Sequence, residues 1–414
     1  MTQSSRCGII IPLHLNKDER GAESRAEEAI GLAAAIDLQV AFVETQQLQA
    51  KRSATLFGKG KVEEIGEIVA AEEVSLMIVD DSLSPIQQRN LEKAWGCKVI
   101  DRTALILEIF GARARTREGV LQVELASLNY QKGRLVRSWT HLERQRGGFG
   151  FLGGPGESQI ETDRRLISER IVKIKAELER ATKTRRLQRE NRRAVPYPII
   201  ALVGYTNAGK SSLFNRLTNA DVLAEDKLFA TLDPTMRAIK LPSGLKAILS
   251  DTVGFVSNLP HELVAAFRAT LEEVIEADLI LHIRDIASPD SEMQKKDVEE
   301  ILAQLLSEES LNHHVLEVHN KIDLLKPESQ MPNAQLGISA LTGEGVENLL
   351  RQADEKLQQL LGFKRQRITL PAADGKRIAW LHEHANVLSQ QLNEEEITLE
   401  IAITDEDWER FGRV

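Results

Sequence analysis

Eight consecutive residues, 204–211, fit the phosphate-binding pattern G-x-x-x-x-G-K-[ST]. They are Gly204, Tyr205, Thr206, Asn207, Ala208, Gly209, Lys210 and Ser211, and we include the next residue, Ser212, in the predicted site. Glycines let such a loop curl until several backbone N–H groups point at one anion, with a helix N-terminus behind them. The Lys210 ammonium would then reach the outer phosphates of a nucleotide, and the Ser211 hydroxyl would bind Mg²⁺. A chance glycine-rich turn is disfavoured because the apolar run 199–203 predicts a strand before the loop and residues 210–217 have helical spacing after it.

Three further motifs follow in the order that a GTP-binding protein needs. They are Asp251-Thr252-Val253-Gly254, Asn320-Lys321-Ile322-Asp323 and Ser339-Ala340-Leu341. At the first, Asp251 can hold Mg²⁺ through water, and the Gly254 N–H can meet the γ-phosphate. At the second, the Asp323 carboxylate can accept hydrogen bonds from guanine, whereas adenine would leave it unpaired, a difference of about 10⁴-fold. The third motif supplies a backbone N–H toward the guanine oxygen. Together the motifs predict GTP and GDP as ligands.

The first switch is expected between the phosphate loop and Asp251. Its predicted nucleotide-contacting residues are Phe229, Ala230, Thr231, Leu232 and Asp233. A threonine here closes over Mg²⁺ only while the γ-phosphate is present. Thr231 and Thr235 are both candidates, and we favour Thr231 because the run 229–232 resembles the switch of related GTPases. The predicted catalytic residues are Lys210, Thr231 and Gly254, and the predicted metal ligands are Ser211 and Thr231.

The residue after Gly254 is informative about the rate of hydrolysis. Ras-like GTPases place a water-orienting glutamine there. This chain has Phe255, whose ring can neither orient nor polarise water. We therefore expect slow intrinsic hydrolysis and a site completed by something else. Some GTPases with an asparagine at the position of Asn207 recruit K⁺, so K⁺ is a second candidate cofactor.

Composition and charge indicate the class of protein and its compartment. At 414 residues the chain is expected to form two to four domains, and its two cysteines, Cys7 and Cys97, fit a reduced, cytoplasmic protein. No apolar run predicts a signal peptide or a stable membrane insertion, which leaves peripheral membrane association open. The net charge is −9, yet residues 134–193 hold 16 Lys and Arg against 8 Asp and Glu. Such a concentrated basic stretch is typical of a nucleic-acid contact, with a solvated helical face as the alternative.

Alternating strand and helix patterns predict an α/β fold with four parts. These are an N-terminal α/β domain (1–118), a helical hairpin (119–195), a P-loop GTPase domain (196–362) and a short C-terminal α/β appendage (363–414). In the first domain, Ser84 and Pro85 predict the start of a helix. The stretch 57–62, Phe-Gly-Lys-Gly-Lys-Val, resembles a second phosphate loop but is incomplete, so a turn before the next helix is favoured. In the appendage, a single helix is predicted over 376–392 between strands 367–370 and 397–403.

Heptad-like spacing of apolar residues predicts two long antiparallel helices in the hairpin, each of about 26 residues, or about 39 Å. The loop that joins them (147–158) holds many glycines and two phenylalanines. A plain linker is one interpretation. We favour an RNA contact in which aromatic rings stack on bases and arginines meet phosphates. The predicted RNA-contacting residues are Arg144, Arg146, Phe149, Phe151, Arg164 and Arg165.

These motifs, together with the stretches 109–119, 121–125, 139–144 and 161–166, resemble the HflX family of ribosome-associated GTPases, which belongs to the Obg-HflX-like translational GTPases. The resemblance covers nearly the whole chain. It implies binding to the 50S subunit and the 70S ribosome through rRNA, with the hairpin loop near the peptidyl transferase centre, and splitting of stalled or idle ribosomes. It implies no DNA partner, and we expect a monomer.

A second hypothesis from another functional class stays open. In it, the protein is a GTP-dependent binding switch for a non-ribosomal partner, such as a protease or a membrane complex. The basic hairpin with its aromatic loop favours the ribosomal hypothesis.

Overall fold

The computed structural model describes residues 6–14, 20–145, 155–192, 197–218, 228–229, 235–257, 268–325, 336–393 and 395–412. At 136–145, 155–160, 182–192, 268–270, 272, 308, 309, 312 and 406 it describes the backbone only. The chain forms two compact units. The first contains residues 1–194, 225–233 and 257–270, and the second contains residues 195–224, 234–256 and 271–414. The first unit therefore includes two short segments, 225–233 and 257–270, that precede and follow the Asp251 motif in the sequence.

The first unit is built on a parallel sheet of four strands. The strands are β1 (Arg6–His14), β2 (Gln39–Leu48), β3 (Leu76–Val79) and β4 (Lys98–Asp101), in the order β2-β1-β3-β4. The helices that accompany them are α1 (Ala22–Ala34), α2 (Lys59–Ala71), α3 (Pro85–Trp95) and α4 (Arg102–Arg113). Ile9, Ile10 and Ile11 are fully buried, as expected for a parallel strand with both faces covered.

Two helix starts in this unit agree with the sequence-based predictions. Ser84 caps α3, because its hydroxyl accepts a hydrogen bond from the Gln87 N–H and the Gln87 side chain accepts one from the Ser84 N–H. Gly58 is the N-cap of α2, so the stretch 57–62 runs directly into the first turn of this helix, which begins at Lys59.

The hairpin helices α5 (Arg117–Gln145) and α6 (Pro155–Arg192) contain 29 and 38 residues, which is longer than predicted. Ala126 on α5 and Ile171 and Ile174 on α6 are buried. The Arg170 guanidinium holds the Glu124 carboxylate through two hydrogen bonds of 2.7 and 2.8 Å. The predicted packing of two long helices is therefore confirmed along the described part of the hairpin.

The second unit is built on a five-stranded sheet with the order β6-β7-β5-β8-β9, in which only β6 is antiparallel. Its strands are β5 (Ile199–Gly204), β6 (Thr235–Lys240), β7 (Lys246–Asp251), β8 (Leu279–Asp285) and β9 (Val315–Asn320). The helices here are α7 (Lys210–Thr218), α8 (Arg268–Ile275, whose first three residues belong to the first unit), α9 (Ser291–Leu305), α10 (Glu308–His314) and α11 (Val346–Leu360). β5, β7 and β9 end at the phosphate loop, the Asp251 motif and the Asn320 motif, so the parallel strands of the sheet bring these three motifs to one edge.

The C-terminal residues of the second unit form an antiparallel sheet of order β10-β12-β11. Its elements are β10 (Lys364–Pro371), α12 (Gly375–His384), β11 (Asn386–Leu392), β12 (Glu396–Ile403) and α13 (Asp405–Phe411). The prediction of one helix over 376–392 was wrong, because α12 ends at His384 and the rest of that range is β11. The apolar spacing allowed a helix, but β12 buries Leu399 and Ile401 in this small core and pairs on both sides, which requires β11 as a strand.

No helix in the described part of the chain is both long enough and apolar enough to cross a bilayer.

Candidate guanine-nucleotide site

The phosphate loop adopts the backbone conformation that its sequence predicts. Asn207 and Gly209 have positive φ angles of 59° and 92°. A Cβ atom on Gly209 would lie 2.1 Å from the Nδ2 atom of Asn320, so only glycine allows this close approach. The loop leads directly into α7, which places the first-turn N–H groups of that helix behind it.

Lys210 is a buried cation at the start of α7. Its ammonium donates hydrogen bonds to the carbonyl oxygens of Gly204 and Tyr205 at 3.1 and 2.8 Å. Burial lowers the pKa of Lys210 to about 8, and the nearby Asp251 carboxylate opposes this shift. The Thr206 hydroxyl oxygen is also buried, and no hydrogen-bond partner for it exists among the described residues. A phosphate anion would suit both groups.

Asp251 and Ser211 come together as the sequence predicts. Asp251 ends β7 and Ser211 is the second residue of α7, and the Ser211 hydroxyl donates a 2.7 Å hydrogen bond to the Asp251 carboxylate. The carboxylate belongs to a fully buried residue. A hydroxyl oxygen beside a carboxylate is the kind of donor set that Mg²⁺ accepts, so the residues present fit this ion.

The Gly254 segment runs alongside the phosphate loop. The Phe255 N–H donates to the Gly204 carbonyl at 3.1 Å, and the Thr206 N–H donates to the Phe255 carbonyl at 2.7 Å. A Cβ atom on Gly254 would approach the Lys210 ammonium nitrogen to 3.0 Å. The Phe255 ring is buried. The backbone of the Asp251 motif is therefore held against the residues that would surround the γ-phosphate.

Asn320 joins three of the motifs in space. Its side-chain amide donates to the Ala208 carbonyl at 2.7 Å, and its side-chain oxygen accepts from the Ala340 N–H at 2.9 Å. Lys321, with φ of 67°, extends to Asp285 at the end of β8, with 2.8 Å between ammonium and carboxylate. Asp323 and Leu341 are exposed at this edge.

Two residues at this edge were not predicted from the sequence. Arg216 on α7 donates to the Ala340 carbonyl at 2.7 Å and also to the Leu341 carbonyl, which fixes the backbone of the third motif. Asp285 could have been predicted, because it ends an apolar strand next to β9 and the carboxyl ends of parallel strands commonly line a ligand site. Arg216 had no such signal, because its partners are backbone atoms more than 120 residues away.

The structure describes only some of the other predicted site residues. Ala230, Thr231, Leu232 and Asp233 lie outside the described residues, and Thr235 begins β6. Phe229 belongs to the first unit, where its ring meets Phe110 edge-on with 4.7 Å between ring centroids. Arg146, Phe149 and Phe151 lie outside the described residues, and the side chain of Arg144 does as well. Arg164 and Arg165 are exposed on α6.

The chain is similar to known proteins along most of its length. Four family models match successive parts of the chain: GTP-binding GTPase N-terminal (23–111), GTP-binding GTPase Middle Region (113–192), 50S ribosome-binding GTPase (199–321) and HflX C-terminal domain (324–414). The GTPase HflX of Magnetococcus marinus is 52% identical over 380 residues, covering 90% of this chain and 86% of that protein. The chain belongs to the HflX family of GTPases.

A second relative and a solved structure are also similar to this chain. The GTPase HflX of Escherichia coli is 41% identical over 97% of this chain and 95% of its own length. A crystal structure of a GTP-binding protein from Sulfolobus solfataricus in complex with GDP aligns with 86% of this chain and 99% of its own, at 24% identity and a TM-score of 0.45. As a member of the HflX family, the protein binds guanine nucleotide and hydrolyses GTP.

Proposed function

We propose that this GTPase associates with the large ribosomal subunit and splits stalled or idle 70S ribosomes. The observation that carries the proposal is the long hairpin of α5 and α6, whose basic residues include the exposed Arg164 and Arg165. Exposed arginines on a rigid helix provide a sequence-independent attraction for rRNA phosphates. The family model that matches residues 199–321 is described as a 50S ribosome-binding GTPase, which supports the same partner.

We also propose a role for each residue of the nucleotide site. Lys210 holds the β- and γ-phosphates, because a buried ammonium is stabilised by an anion. Ser211 and Thr231 bind Mg²⁺, and Asp251 orients the Ser211 hydroxyl. Mg²⁺, when bound, neutralises developing charge on the phosphate oxygens. The Gly254 N–H faces the γ-phosphate, and Asp323 pairs with the guanine base.

Slow intrinsic hydrolysis follows from Phe255. Its ring is buried and has no hydrogen-bonding group, and its backbone is paired with Gly204 and Thr206. The Phe255 side chain therefore cannot orient the attacking water. We propose that the ribosome completes the site, which couples hydrolysis to docking. K⁺ bound through Asn207 is the second proposed contribution.

The decisive experiment measures light scattering of 70S ribosomes with GTP, comparing the unmodified protein with a variant in which residues 148–155 are replaced by a short glycine bridge. We expect splitting to be lost while GTP affinity stays unchanged. Equal splitting by the two proteins would reduce the loop to a linker. A protein that neither splits nor co-sediments with ribosomes would favour the non-ribosomal switch.

A charge-reversal pair tests the basic face separately. Arg164→Glu/Arg165→Glu should weaken ribosome co-sedimentation and lower the slope of log affinity against log salt by about two. Arg351→Glu/Arg365→Glu is the matched control, because these arginines are exposed in the second unit and carry the same charge change. Equal effects of the two pairs would contradict a contact through α6.

A further inference from the structure

Arg216 holds the loop of the third guanine-site motif by two successive carbonyl oxygens. It lies in the last turn of α7, and all of its contacts are within the second unit. Its Nε–H group donates to the Ala340 carbonyl at 2.7 Å, and one terminal nitrogen donates to the Leu341 carbonyl. A Cβ atom on Gly343, where φ is 95°, would lie 2.6 Å from the other terminal nitrogen. The guanidinium therefore lies directly against the backbone of this loop.

Other hydrogen bonds fix the loop on either side of these carbonyls. The Ser339 N–H donates to the Glu344 carbonyl at 2.9 Å, which closes the loop at its base. The Ala340 N–H donates to the side-chain oxygen of Asn320 at 2.9 Å. The two carbonyls that Arg216 binds lie between these points, so its guanidinium fixes the part of the loop that the other bonds do not reach.

The direction of one N–H group follows from this contact. The Ala340 carbonyl and the Leu341 N–H belong to one peptide group, which is planar and trans, so they point in opposite directions. A guanidinium that fixes the carbonyl therefore also fixes the N–H. A cation on the carbonyl polarises the peptide group as well, which makes the N–H a stronger donor. Leu341 is 77% exposed, so a ligand can approach it.

We propose that Arg216 is a positioning residue that sets the specificity for guanine by aiming the Leu341 N–H at the 6-oxygen of the base. The Ala340 N–H already donates to Asn320, so its neighbour is the donor that we assign to the base. Adenine has an amino group at the 6-position, and a fixed N–H that faces another donor disfavours it. The role rests on the proposed placement of guanine at this edge, where Asp323 pairs with different atoms of the base.

The alternative is an arginine that only stabilises the loop. A loop that is loosened in general binds every nucleotide less tightly, and by a similar factor. A positioning residue instead changes the preference between two nucleotides that differ at a single atom. The ratio of two affinities therefore separates the possibilities, whereas the melting temperature or the affinity for GDP alone does not.

The test is direct titration with GDP, 6-thio-GDP and inosine diphosphate. The first analogue has a sulfur atom, a weak acceptor, in place of the 6-oxygen, and it keeps the N1–H and 2-amino groups. Inosine diphosphate keeps the 6-oxygen and lacks the 2-amino group. We expect the unmodified protein to bind GDP about fivefold or more tightly than 6-thio-GDP. The ratio of the affinities for GDP and inosine diphosphate reports the contact of Asp323 in the same way.

Arg216→Met removes every donor and keeps an unbranched apolar side chain. We expect the preference for GDP over 6-thio-GDP to fall below about twofold, because the Leu341 N–H is no longer aimed at the 6-position. The preference for GDP over inosine diphosphate should stay within about twofold of that of the unmodified protein. Arg216→Lys keeps the charge but can hold only part of the contact, so its preference should be intermediate. This milder variant decides the role if Arg216→Met does not fold.

Arg351→Met is the matched control. Arg351 is an exposed arginine of the same unit, and its guanidinium donates to Asn348 on its own helix, α11, at 2.8 Å. Both preferences should be unchanged in this variant. Melting temperatures establish that each variant is folded at the temperature of the titration. An equal loss of affinity for all three nucleotides in the Arg216 variants would overturn the positioning role.

The unmodified protein separates this inference from the proposed site. If it binds GDP and inosine diphosphate equally, the proposed pairing of Asp323 with guanine fails, while the comparison with 6-thio-GDP still decides the role of Arg216. If it binds GDP and 6-thio-GDP equally, no donor distinguishes the 6-oxygen, and the inference is wrong even where the pairing of Asp323 holds.

Discussion

The side-chain amide of Asn320 donates a 2.7 Å hydrogen bond to the carbonyl oxygen of Ala208, 112 residues earlier in the chain. The same side chain accepts from Ala340, so one buried asparagine connects the phosphate loop to the third guanine-site motif. The Asn-Lys-Ile-Asp motif therefore has a structural task in addition to the base contact that we propose for Asp323. Asp323 is exposed, whereas Asn320 holds the surrounding loops in register.

Replacing Asn320 with alanine should weaken nucleotide binding and stability together. The change leaves the Ala208 carbonyl and the Ala340 N–H without these partners, at about 1–3 kcal/mol for each buried group. We expect GDP affinity to fall at least tenfold in calorimetric titration, together with a lower melting temperature. Asn348→Ala is the control, since Asn348 is an exposed asparagine on α11 and should bind GDP normally. Unchanged GDP affinity in Asn320→Ala would disprove the connecting role.

Asp323→Asn should change the choice of nucleotide. A carboxylate accepts from the N1–H and 2-amino groups of guanine, whereas an amide presents a donor that suits the 2-position oxygen of xanthine. GTP affinity should fall strongly, and xanthosine triphosphate should bind better than GTP. Direct titration of both nucleotides checks this result. The assignment of Asp323 to the base would not survive equal GTP affinity in the variant and the unmodified protein.

The protein should take up a proton when it binds nucleotide at mildly alkaline pH. Burial lowers the pKa of Lys210 to about 8, so close to half of the free protein carries a neutral lysine at pH 8. A bound phosphate raises that pKa again, and the complex must then acquire the missing proton. The affinity for nucleotide therefore does not depend on pH through Lys210 well below pH 8, and it falls as the pH rises above 8.

Calorimetry in two buffers of different ionisation enthalpy measures this uptake directly. With GDP and Mg²⁺ we expect about half a proton at pH 8 and about a tenth at pH 7. Zero uptake at both pH values would mean that Lys210 is already fully charged in the free protein.

The identity of the monovalent cation should affect turnover more than binding. If K⁺ acts through Asn207, replacing K⁺ with Na⁺ lowers kcat for GTP and leaves nucleotide affinity nearly unchanged. Asn207→Asp offers a second comparison, because it changes the charge of the proposed ligand at the same position. Equal rates in the two salts would remove K⁺ from the mechanism and leave the proposed ribosome stimulation untouched.

Much of the nucleotide site was determined by local sequence. The phosphate loop, the Asp251 motif and the Asn320 motif are short, and each follows an apolar strand, so type and position could be predicted without knowing the fold. The parallel sheet then brings strand ends together as a rule of topology. The start of α3 at Ser84 and Pro85 was predictable for the same reason, because capping involves residues only three positions apart.

Tertiary pairing decided the features that local patterns leave open. Residues 386–392 form β11 because β12 needs a second neighbour, although their apolar spacing suited a helix. The partners of Arg216 are backbone carbonyls, which carry no signature in the sequence. The contact of Arg102 with Ser257 spans 155 residues, and its energy depends on burial beside Asp80 and Glu28. Spacing along a chain reports neighbours within a few turns, whereas such long-range polar contacts exist only after the fold has excluded water from around them.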